Sequence, residues 1–140
     1  MKTITAICLL FTINFLNAQS IEGVWKTIDD ESGEAKSYIQ IIKKGDTFEG
    51  KVVKLLPAAT TDICAECPGE NRGKPIEGMV ILEDLQVYKD YYSYGKILDP
   101  ASGKVYKCNV SLKEKDVLEV RGYIGISLIG RSQEWFRVKD

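Results

Sequence analysis

The chain has 140 residues, 44% of them hydrophobic, with 19 basic and 20 acidic side chains and a formal net charge of −1. That length implies a single domain, and a balance this close to neutral lacks the basic excess that a nucleic-acid partner calls for. The sequence contains no histidine, which removes Ser-His-Asp and Cys-His nucleophile systems, HExxH zinc chemistry and every side chain whose ordinary pKa lies near neutrality.

The opening "MKTITAICLLFTINFLNAQS" has one basic residue, Lys2, then an apolar run from Ile4 to Leu16, then the small residue Ala18. This is the pattern of a secretory signal peptide over 1–18. The run of about 13 residues is shorter than the roughly 18 that a membrane-spanning helix needs, so no transmembrane anchor is expected. Cys8 lies early in the run and follows Ile7 rather than a small residue, so it is expected to leave with the signal. Residues 19–140 then form one exported domain, secreted or periplasmic, in which Cys64, Cys67 and Cys108 meet a compartment where disulfides persist.

Short β runs separated by turn signals follow, with little helical periodicity. "GVWKTID" (23–29) reads as a first strand. "KSYIQIIK" (36–43) and "TFEGKVVKLL" (47–56) continue an antiparallel meander through turns at Gly33 and Gly45. A polar loop over 57–75 holds "DICAECPGENRG". The next segment is ambiguous: "GMVIL" suits a short strand, but Leu82, Leu85 and Tyr88 recur at the 3-residue spacing of a helical turn. "YSYGKILD" (92–99) is a strand closed by "DPASGK", a type I turn signature. In "KVYKCNVSLK" (104–113) Tyr106, Cys108, Val110 and Leu112 alternate with polar residues, so Cys108 belongs to the apolar stripe. "VLEVRGYIG" (117–125) and "LIGRSQEWFRV" (128–138) end the chain. The expected fold is all-β, an antiparallel meander closed into a small barrel, since no other element is present to cover its edges or inner face.

The CxxC of Cys64 and Cys67 admits several chemistries. A thioredoxin-type redox site needs its first cysteine at a helix N-terminus, whereas Pro68, Gly69, Asn71 and Gly73 occupy the place of that helix. A zinc site needs four ligands, and three cysteines without histidine would require a carboxylate from Asp62, Glu66 or Glu70. A disulfide remains, either local between Cys64 and Cys67 or long-range to Cys108. The long bridge closes a loop of roughly 40 residues and is worth about 4 kcal/mol in the chain-entropy model, against about 2 for the local one. The local pair, however, shares one loop and has its partner always near. No catalytic residue, metal or cofactor is assigned. "DDE" at 29–31 reads as a solvated hairpin tip and Asp99 as a turn acceptor.

"GVWKT", the "CAEC" loop, "PIEGMVIL", "YGKILDPASGKVYKC", "LEVRGYIG" and "LIGRSQEWFR" together resemble the bacterial secreted family catalogued as domain of unknown function 2147, over Ile21 to Val138. The resemblance implies a lipocalin-like, or calycin, barrel of unestablished activity. In calycins a Gly-x-Trp begins the first strand and an Arg from the last strand stacks on that Trp to close the barrel. Gly23 and Trp25 match the first element, and Arg137 is the candidate for the second, with Arg131 as its competitor. The barrel-type strand pattern, the Gly-x-Trp with its late Arg and the lack of catalytic side chains point to a non-enzymatic module that binds a small apolar or amphipathic ligand, with the core-facing aromatics Trp25, Tyr94, Tyr106 and Tyr123 as cavity-lining candidates. The competing expectations are an envelope-associated structural or interaction protein with a packed core and, behind it, a CxxC thiol-redox or zinc-binding protein. The sequence names no protein partner.

Overall fold

The computed structural model describes residues 19–139, and the expected export signal at 1–18 lies outside the described residues. Eight strands run in chain order: β1 (Gly23–Ile28), β2 (Ala35–Lys44), β3 (Thr47–Leu55), β4 (Val80–Tyr88), β5 (Tyr91–Leu98), β6 (Val105–Glu114), β7 (Val117–Tyr123) and β8 (Gly130–Arg137), with one 3₁₀ turn at Gly69–Asn71. Each strand pairs antiparallel with the next, and β8 returns to β1, giving a closed eight-stranded barrel. Closure gives each of these strands a neighbour on both sides, although the β1–β8 seam is short.

The inner face follows from the period-2 alternation of each strand. Trp25 and Thr27 of β1, Ser37, Ile39 and Ile41 of β2, Cys108 and Val110 of β6, and Leu118 and Val120 of β7 are all buried. The ambiguous segment is strand β4, and its helix-like spacing has a backbone cause. Asp84 has φ +58°, and this left-handed residue resets the alternation so that Leu82 and Leu85, three apart, are both fully buried.

The two ends of the barrel differ. At one end lie the residues preceding β1, the short β2–β3, β4–β5 and β6–β7 turns, and the end of β8. Trp25 is fully buried there, and its Nε1 donates to the Ile21 carbonyl at 2.8 Å. The Arg137 guanidinium lies over the Trp25 ring, 4.3 Å from its centroid. Its Nη1 donates to the Glu22 carbonyl at 2.8 Å, its Nη2 to the Ser20 carbonyl at 3.0 Å, and its Nε to Asp116 Oδ1 at 3.1 Å. One planar cation thus joins the entering chain, the β6–β7 turn and the last strand, which a lysine ammonium could not do with the same fork of donors. Gly23 has φ +132°, and a Cβ there would sit 2.8 Å from Arg137 Nη1, so glycine is required both for the backbone and for the approach of the guanidinium. Above this plug Ile39, Ile41, Phe48, Leu82, Leu85, Val110 and Leu118 fill the lower half of the barrel.

Arg137→Met, which keeps the apolar stem and removes the charged fork, is expected to lower the unfolding free energy by about 2–4 kcal/mol. Gly23→Ala should cost about 1–3 kcal/mol through strain and crowding. Denaturant unfolding checks both, and an Arg137→Met protein as stable as the native one would refute the role given to this side chain.

Candidate functional site

The opposite end is formed by the β1–β2 loop (29–34), the long β3–β4 loop (56–79), the β5–β6 turn (99–104) and the β7–β8 loop (124–129). Between them a cavity of about 690 Å³ enters the barrel. Its wall includes Val52, Ile76, Ile81, Leu98, Val120 and Trp135, all buried apolar side chains. The volume falls within the range of small-molecule sites, and so does the mix of apolar wall and a few polar groups.

The polar groups inside are neutral. Thr27 and Ser37 line the cavity and hydrogen-bond each other, Oγ1 to Oγ, at 3.0 Å. Gln133 Oε1 accepts from Trp135 Nε1 at 3.4 Å. Charge is confined to the mouth and is already engaged there. Arg131 Nε and Nη2 donate to the two Asp30 oxygens at 3.0 and 2.8 Å, and Nη2 lies 3.0 Å from Glu31. Lys36 Nζ donates to the Ala58 carbonyl at 2.9 Å. Asp29 accepts from the Ser32 and Glu31 backbone N–H groups, which hold its carboxyl below the usual carboxylate range. Asp99 accepts from Ala101 N–H and the Ser102 hydroxyl.

The β7–β8 loop adds an apolar lip. Ile124 and Ile129 border the cavity, and Ile126 and Leu128 project outward, Leu128 being 85% exposed. Arg121 Nε holds this loop by donating to the Ser127 carbonyl at 2.8 Å.

The residues singled out from the sequence are distributed between the cavity, the closed end and the outer wall. Tyr106 lines the cavity, and Tyr123 borders its mouth from the end of β7. Trp25 does not line it, because it is sealed into the closed end beneath Arg137. Tyr94 is also outside. It has φ +62° within an irregularity of the β5–β6 register, which turns its side chain outward, and it is 61% exposed with its ring against Tyr88. Arg131, the competitor for the closing role, serves the mouth instead. Residue type alone does not mark Thr27, Ser37 and Gln133, although the alternation that buries Trp25 and Ile39 places Thr27 and Ser37 on the same inner face.

The cysteines separate into two environments. Cys64 and Cys67 form a disulfide with Cα atoms 5.4 Å apart, and Cys108 is a buried free thiol on the inner face of β6. The long-range bridge to Cys108 is therefore not made; Cys108 points into the barrel among core side chains. A three-residue 3₁₀ turn follows the CxxC in place of a longer helix, and both bonded cysteines are fully buried. Gly103, with φ +75°, lets the β5–β6 turn lie against the Glu66 backbone, where a Cβ would collide. The disulfide loop is thereby pressed onto the mouth.

An eight-stranded antiparallel barrel plugged by Trp and Arg at one end and open at the other is a lipocalin-like barrel. In keeping with this, the chain resembles in structure the protein HP1028 from the human pathogen Helicobacter pylori, described as belonging to the lipocalin family, with a TM-score of 0.75, 21% identity, and coverage of 86% of this chain and 84% of that one. The chain belongs to the family described as "Uncharacterized protein conserved in bacteria (DUF2147)", whose model matches residues 23–137. No curated protein matches it.

Burial pushes the Cys108 thiol up to about 12 from an ordinary value near 9.0. Because the folded state holds this proton more tightly than the unfolded one, the contribution is complete below about pH 9 and is lost as the pH rises toward 12. Stability should fall by about 1.4 kcal/mol per pH unit in that window from this thiol alone. The native protein should therefore lose stability faster than Cys108→Ala between pH 9 and 11, and parallel curves for the two would show that the thiol is not shielded.

Proposed function

We propose that this protein is an exported, non-enzymatic binding module for a small apolar or amphipathic molecule held inside the barrel. The observation that carries this reading is the cavity of about 690 Å³, apolar-walled and open at the loop end, above a plugged base. Supporting it, the side chains best suited to chemistry are engaged elsewhere. Cys64 and Cys67 are bonded to each other, Asp29 and Asp99 accept hydrogen bonds within their own loops, and Arg131 is held by Asp30 and Glu31. An open interior favours this reading over that of a structural protein with a packed core. The disulfide and the leader-like run over 1–18 support export, with 19–140 as the single mature domain.

Titration with the apolar fluorophore N-phenylnaphthylamine should give saturable, one-to-one binding. Val120→Trp, which fills the cavity from β7, should abolish most of it while leaving the barrel folded, and the exported protein should begin at Gln19. Absence of saturable binding by the native protein would refute the proposed function.

A further inference from the structure

We infer that the ligand carries an uncharged oxygen, as a long-chain alcohol or ketone does, and that the Thr27–Ser37 hydroxyl pair is the subsite that receives it. This rests on the binding reading above and specifies its chemistry. Thr27 and Ser37 are cross-strand partners in the β1–β2 register, both inward-facing, 7% and 9% exposed, and both in the cavity wall. Their neighbours along the same inner face are Trp25 on one strand and Ile39 and Ile41 on the other, so the pair is a polar spot in an otherwise apolar column.

Two hydroxyls own two protons, and the bond between them, 3.0 Å long, uses one. Among the described residues this is the only side-chain hydrogen bond either group makes. The second proton and the spare lone pairs can therefore serve an oxygen within the cavity, as acceptor or as donor. The fold has little need of the pair: replacing both partners of a buried hydrogen bond by apolar groups of like shape is close to neutral. A wall built only for packing would do as well with valine and alanine.

The same geometry disfavours a carboxylate head. Among the described residues, no cationic side chain lies beside the hydroxyls inside the cavity. The two cations at the mouth, Lys36 and Arg131, share it with Asp29, Asp30, Glu31 and Asp99, and Arg131 already holds two of these. At the mouth a carboxylate would find Arg131 already paired with Asp30 and Glu31, Lys36 held by the Ala58 carbonyl, and four carboxylates of like charge, whereas a hydroxyl or carbonyl meets no such repulsion.

The test is displacement of N-phenylnaphthylamine from the full exported protein by decanol and by decanoate at neutral pH. Decanol should compete at about tenfold lower concentration than decanoate. In the double variant Thr27→Val with Ser37→Ala, decanol should weaken by about tenfold. The unfolding midpoint should be unchanged or improved, and displacement is read against the fluorophore affinity measured for the variant itself. A single Thr27→Ser substitution, which keeps both hydroxyls, should retain the preference. Decanoate competing as well as decanol, or a double variant that binds decanol like the native protein, would overturn the inference while leaving the cavity reading intact. Failure of the fluorophore itself to bind would overturn both.

Discussion

The arrangement depends on one stacked cation. Arg137 is drawn to the Trp25 face, to two carbonyls of the chain entering β1 and to Asp116 in the β6–β7 turn. The β1–β8 register is short, running only from Trp25↔Arg137 to Thr27↔Trp135. A seam so short needs a side-chain lock, and the lock works because it is multiply bonded and lies on an aromatic face at the same time. Gly23 is the local concession that allows it.

Closing the barrel at this end decides what the other end can be. Above the plug Leu82 and Leu85, with Ile39 and Ile41, fill the bore. Smaller or polar inward residues, Thr27, Ser37, Val52 and Gly122, face the open half. Above them the strands separate, and Arg131 bridges from β8 to Asp30 in the β1–β2 loop, restoring across the mouth the connection that backbone pairing no longer supplies. The disulfide loop lies on the β5–β6 turn, with Cys64 Sγ 3.3 Å from the Pro100 carbonyl. Its bond braces the rim of the cavity.

Much of this was legible from residue patterns. Short β runs bounded by turn signals located seven of the strands, and the family resemblance, through its Gly-x-Trp and late Arg, indicated the closed end. What was not legible has a common physical origin in backbone conformation. Asp84 and Tyr94 adopt left-handed φ values, a choice that neither residue type advertises. The first made a strand resemble a helical turn and the second carried a supposed cavity residue to the outer wall. The hydroxyl pair was visible in the alternation, yet its meaning depends on cross-strand pairing between positions ten apart. Cys108 was legible as an inward residue of the apolar stripe, but the pairing was not, and the structure leaves it a free thiol while Cys64 and Cys67 bond to each other.

The central claim is that the barrel is divided into a packed base and a ligand-accepting upper half. Methyl NMR during titration with N-phenylnaphthylamine tests it directly. Val52, Ile81 and Val120 should shift strongly and saturate together, while Ile41, Leu85 and Val110 in the packed half move little. Shifts confined to the exposed lip at Ile126 and Leu128, with the interior methyls unmoved, would contradict the account.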